Sequence, residues 1–256
     1  MEAKRDVIAW RGRAPIWLGL AAIAGLSWAY LARMQAGMSA MTPPMAVPAP
    51  SLTSQLATAF AMWTIMMIAM MVPTSVQSLS VFTAMSAKRR RGGSLTAASA
   101  FFVLGYIAAW AGYSVLAAAV QVGLSRAAFL TPMLQSASIA LSALILLGAG
   151  LFQFSTLKEA CLTKCRTPLA FFLAEWRDGN SGAFVMGMRH GGYCVGCCWA
   201  LMAVMLVVGA MNLLWMAALA VFMLAEKLAP ANWPLSRVAG VAFLMWGAFV
   251  AADLFG

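Results

Sequence analysis

Charge is scarce in this chain: only 9% of its 256 residues are Asp, Glu, Lys or Arg, against roughly a quarter in an ordinary soluble domain. A water-soluble globular reading is excluded on that ground. Histidine is rarer still, with His190 the sole example, and the seven acidic residues are scattered. They form no paired carboxylates and no Ser-His-acid set, which excludes general acid–base hydrolysis and triad chemistry. There is no G-x-x-x-x-G-K-[ST] loop and no G-x-G-x-x-G fingerprint, so phosphate-cradling motifs are absent as well. Nothing repeats at a fixed period, and no break in composition divides residues 1–256 into separate domains.

What is abundant is apolar sequence, at 63% of the chain. Several runs reach the length of about 20 residues that a bilayer-spanning helix needs. The expectation is an all-α polytopic transmembrane bundle of about seven spans (six to eight), lying in the lipid bilayer. The spans run near 15–33, 55–73, 97–123, 132–154, 193–211, 213–229 and 236–254. Lys4, Arg5, Arg11 and Arg13 precede the first span as in a signal peptide. It lacks a small-residue cleavage site and is expected to be kept as an anchor.

The few charges are placed asymmetrically. Fifteen of the seventeen basic residues fall on one side of these spans, leaving only Arg33 and Arg126 on the other. The positive-inside rule therefore predicts a cytoplasmic N-terminus and a cytoplasmic 155–192 connection, with the C-terminus outside. On this reading the run Lys88-Arg89-Arg90-Arg91 sets topology and does not bind nucleic acid. The outer stretch MTPPMAVPAP (41–50) is too rich in proline to be helical throughout.

All five cysteines then gather at the cytoplasmic face. Cys161 and Cys165 stand in KEACLTKCR, and Cys194, Cys197 and Cys198 follow His190 in HGGYCVGCCW. Cytosolic thiols stay reduced, so a disulfide framework is not expected, and clusters at short spacing point to metal binding or redox chemistry. On a helix of 3.6 residues per turn, His190, Cys194, Cys197 and Cys198 fall within an arc of roughly 100°. Cys161 and Cys165, one turn apart, share a face of their own. The one-turn steps favour His190, Cys194 and Cys198 as the closest set, with Cys161 and Cys165 meeting them. Gly191, Gly192 and Gly196 weaken the helix but permit close approach of a neighbour.

The stretch WRDGNSGAFVMGMRHGGYCVGCCWALMAVMLVVGAMNLLWM, with CLTKCRTPL before it, resembles a bacterial family described as predicted metal-binding integral membrane proteins. The likeness runs from about Trp63 to Lys227 and is most specific between Cys161 and Met216. The family's Cys-x3-Cys and His-x3-Cys-x2-Cys-Cys-Trp core falls on Cys161, Cys165, His190, Cys194, Cys197 and Cys198. The resemblance implies metal binding by these residues in a bacterial inner membrane. It implies no reaction.

Twenty methionines are also present. Met62, Met66 and Met70 recur at one-turn steps, as do Met186 and Met202 in line with His190, Cys194 and Cys198. Such stripes by themselves are ordinary packing. Beside a cysteine cluster they add soft donors, which favour copper, as Cu(I), over zinc or iron.

Two polar sites interrupt the apolar spans. Asn212 is expected to cap a tight turn or bond a neighbouring helix, and Glu226 to pair with Lys227, Arg237 or the 155–192 connection. Within that connection, PLAFFLAEWRDG reads as an interfacial amphipathic segment. Pro168 opens it and Gly179 ends it, with Phe171, Phe172 and Trp176 lying among headgroups and acyl tails. The functional expectation is Cu(I) binding, transfer or delivery to a metal-accepting partner, without catalysis. A membrane oxidoreductase and an accessory subunit of a larger membrane complex stand as alternatives. A topology reporter fused at Gly256 is expected to read as external; a cytoplasmic signal would mean an even number of spans.

Overall fold

The structure, a computed structural model, describes residues 2–40, 51–89, 94–131, 134–210, 212–230 and 232–254, with 2–13 and 38–40 as backbone alone. The proline-rich stretch 41–50, Arg90 and Arg91 lie outside the described residues, as do the side chains of Lys4, Arg5, Arg11 and Arg13.

The helices are α1 (Glu2–Ala40), α2 (Leu52–Thr74), α3 (Val76–Arg89), α4 (Leu95–Arg126), α5 (Ile139–Phe152), α6 (Thr156–Arg166), α7 (Pro168–Glu175), α8 (Gly179–Ala203), α9 (Met205–Val208), α10 (Leu213–Leu228) and α11 (Leu235–Ala252). Short polar residues start many of them. Ser51, Ser94, Ser138, Ser155 and Asn212 each accept a backbone N–H three residues on, capping α2, α4, α5, α6 and α10. Such a cap satisfies donors that would otherwise be left open at a helix start, worth about 1 kcal/mol each. Pro73 and the Thr74 and Ser75 hydroxyls, bonded back to the Met71 and Val72 carbonyls at 2.9 and 2.8 Å, mark the end of α2.

Five described helical stretches are long and apolar enough to cross a membrane: Ala14–Gly37, Leu52–Thr74, Leu95–Arg126, Gly179–Val208 and Leu235–Ala252. The pair α5 and α6, bent by 63°, makes a sixth if taken as one broken span. The two further spans expected near 132–154 and 213–229 are instead helices of 14 and 16 residues. At 1.5 Å per residue these reach about 21 and 24 Å, short of a hydrocarbon core of about 30 Å. A tight turn delays α5, with Ala128 and Leu134 at positive φ and Leu130 bridged to Ser136.

Three local expectations change. The HGGYCVGCCW stretch lies well inside α8, which starts at Gly179, ahead of the span expected near 193–211. Gly179 does not end the amphipathic segment; α7 stops at Glu175, and Gly179 opens α8 with φ of 80°. Phe171 and Phe172 point inward, 1% and 0% exposed, Phe172 against Phe82 and Phe102 and Phe171 against His190 and Tyr193, because α7 folds under α3 and α8. Pro168 does sit in the first turn of α7.

The bundle has two opposed ends. At one, Arg126 at the end of α4 reaches Gln55 near the start of α2, and the Ser136 amide donates to the Leu206 carbonyl. The other gathers the end of α2, the whole of α6, the end of α10 and the start of α11. Helices α4 and α8 pack with their backbones in contact through glycine. A Cβ on Gly187 would meet the Phe102 carbonyl, one on Gly105 would meet the Phe184 carbonyl, and one on Gly191 would press on Ala109. Small residues at a helix crossing allow this approach. Gly187→Ala is expected to destabilise the bundle by about 1–3 kcal/mol through overpacking. Gly192→Ala, with nothing within 4 Å, is expected to keep or raise the melting temperature. Thermal unfolding of the purified protein in detergent checks both.

Candidate metal centre

The centre forms where α6 lies across α8. Helix α8 carries Cys194 and Cys197, three residues apart and hence on nearly the same face. Helix α6 brings Cys165. The three Sγ atoms all lie within 4.8 Å of one another, and the residues are 1%, 0% and 3% exposed. What lets α6 come close is Gly196: a Cβ there would stand 2.7 Å from the Cys161 sulfur.

The other candidates are placed differently. Cys198 is buried, its sulfur 3.3 Å from that of Cys197, but it is not one of the three mutually close sulfurs. Cys161 is half-buried. His190 bonds the Ser78 hydroxyl through Nε2 at 2.7 Å, and its ring stands among Phe102, Tyr106, Phe171 and Phe172. Its Nδ1 has no hydrogen-bond partner among the described residues. The grouping favoured by one-turn spacing, His190 with Cys194 and Cys198, is thus not the one brought together. One turn back along α8, helices α3, α4 and α7 enclose the imidazole. Helix α6 meets the face of α8 from which Cys194 and Cys197, and not Cys198, come within reach of Cys165.

The methionines divide in the same way. Met62, Met66 and Met70 of α2, with Met202 of α8, line the same buried core as the four buried thiols. Met186 belongs to a second core with Phe82 and Phe102, its sulfur accepting the Arg177 amide at 3.4 Å.

Cys194 is the electrostatic focus. The Lys227 ammonium donates to its sulfur at 3.0 Å and to the Thr74 hydroxyl at 2.6 Å; the Tyr106 hydroxyl stands 3.0 Å from the same sulfur and donates to the Met71 carbonyl. Lys227 is buried and, among the described residues, has no carboxylate within ion-pair distance. A buried ammonium needs an anionic or strongly polar partner, and the Cys194 sulfur is the atom placed to be the anion. Sequence reasoning missed Thr74, Ser78 and Tyr106, which are common residues in unremarkable positions. Lys227 was visible as an intramembrane charge, but only as a partner for Glu226.

Glu226 faces the other way and pairs with Lys158 of the 155–192 connection at 2.8 Å, both 1% exposed, as one of the three expectations had it. The Ser236 hydroxyl also donates to Glu226, the Gln153 side chain accepts from Lys158, and Arg166 Nε donates to the Glu226 carbonyl. Adjacent residues on a helix point about 100° apart, so Glu226 clamps α6 from one side while Lys227 reaches its thiol from the other. Asn212 caps α10, as one of the two expectations had it.

Three buried thiols converging in a helical bundle are a donor set of the kind that suits a soft metal ion. The model of the PpoB2 family, described as copper chaperone, matches residues 60–250, three quarters of the chain. The chain belongs to that family. No curated protein and no solved structure matches it.

Removing one partner of a buried ion pair leaves an uncompensated charge, at a cost of about 3–5 kcal/mol. Glu226→Leu is expected to destabilise the fold by that order, and the double variant Lys158→Met/Glu226→Leu to recover much of the loss. Melting temperatures in detergent check the pair.

Proposed function

We propose that this chain is an integral membrane Cu(I) carrier, holding the ion on Cys165, Cys194 and Cys197 near the cytoplasmic face and handing it to a metal-accepting partner. The observation that carries the reading is the three-sulfur group, buried in a methionine-lined core of a copper-chaperone family member. Thiolates are soft donors and prefer Cu(I). Structural zinc closes a shell of four ligands, whereas here three sulfurs converge and the only imidazole is held by Ser78. The cargo ion would be held by the three sulfurs, with Cys198 and the thioethers as soft surroundings.

Support for the membrane comes from outward-facing apolar side chains such as Leu18, Leu116, Leu144, Leu214 and Phe249. Spread over many helices, they form a surface far more apolar than water tolerates. In this reading α5 and α10 are short crossings flanked by longer helices, keeping seven passes in all, and the bilayer adjusts to their length. In the same reading the basic segments keep the N-terminus, α6 and α7 in the cytoplasm, in line with the positive-inside rule, and the membrane is the inner membrane of a bacterium.

The test is metal analysis of protein purified after growth in copper-replete medium. The expected result is one Cu(I) per chain with ultraviolet thiolate-to-copper absorbance, lost in Cys165→Ser, Cys194→Ser and Cys197→Ser. Bound metal contributes folding free energy, so loaded protein should also melt higher than stripped protein. Stoichiometric zinc without copper would overturn the metal assignment, and copper retained by all three variants would overturn the site.

A further inference from the structure

We propose that Cys161 is the capture thiol of this centre, taking Cu(I) from a soluble thiolate donor and passing it to Cys165. The inference rests on the copper-carrying reading above. All four other cysteines are buried, and those of the three-sulfur group are 3% exposed or less, so a donor cannot place its sulfur against them. Cys161 alone is partly exposed. It stands one helical turn before Cys165 on the same face of α6, where such neighbours have Cβ atoms about 5–6 Å apart. Its sulfur occupies the space that a side chain on Gly196 would fill, and Gly196 directly precedes Cys197 on α8. The thiol therefore lies beside the group without belonging to it.

The transfer is a ligand exchange with no change in oxidation state. A bond from copper to Cys161 Sγ forms as the donor's copper–sulfur bond breaks, and the Cys161 proton leaves with the departing donor thiolate. Copper then bonds Cys165 Sγ as its bond to Cys161 breaks, and the Cys165 proton, if present, returns to Cys161. Three converging sulfurs hold the ion more strongly than one, which gives the step its direction.

The experiment offers Cu(I) as its glutathione complex to metal-free full-length protein in detergent. It follows the thiolate-to-copper absorbance by stopped flow and the final copper content by metal analysis. Cys161→Ser is expected to reach the same final copper content as the parent while loading at least about tenfold more slowly, a barrier change of 1.4 kcal/mol. Gly196→Ala, which drives the thiol from its place, is expected to slow loading too. Loading at the parental rate by Cys161→Ser would overturn the proposal. So would loss of its equilibrium copper, which would make Cys161 a permanent ligand. If the parent itself took up no copper, the copper reading would fall, an outcome separate from either of these.

Discussion

Everything at the metal centre depends on how closely α6 can lie against α8, because neither helix holds a three-sulfur site alone. Helix α8 supplies two of the three thiols and α6 the third. Two features hold the crossing. Gly196 removes a side chain where the Cys161 sulfur needs room, and the Lys158–Glu226 pair ties α6 to α10 from the far side. The second feature is costly by itself, since ions lose hydration on burial. It is offset by further hydrogen bonds, from Ser236 to Glu226 and from Lys158 to Gln153, which give each ion a second partner.

The same logic of compensation governs Cys194. A thiol in an apolar core has little reason to ionise, yet copper ligation requires thiolate. An ammonium and a phenol hydroxyl within 3.0 Å of one sulfur provide what bulk water would otherwise supply. Lys227 thereby links charge at the end of α10 to ligand chemistry on α8, while Thr74 fixes the ammonium from α2. Helices α4 and α10 thus reach the sulfur that α8 carries, and α2 holds the ammonium in place. Such networks are worth most when every member is satisfied.

The surrounding apolar shell has consequences for handling an ion. The buried thiols share their core with thioethers, and such soft donors suit a soft ion better than a hard one. The family assignment and the arrangement of sulfurs thus point to the same chemistry from independent directions.

Residue type and spacing along the chain determined much of this. Helical periodicity and apolar runs dictate an all-α bundle, and the stepped cysteines announce soft-metal chemistry, since both follow from local geometry along one helix. Ser and Asn caps and the inward glycines of α8 act locally too. What only the tertiary structure decided was which of the stepped residues meet. Spacing on α8 cannot tell Cys197 from Cys198, because both lie within one arc; the direction from which α6 approaches makes the choice. Nor can it show that His190 is drawn to Ser78, a residue 112 positions away, or that Lys227 turns from its neighbour Glu226 toward a sulfur. Those outcomes are set by helix crossings, where contacts between distant segments compete for the same side chain and the best-compensated pairing wins.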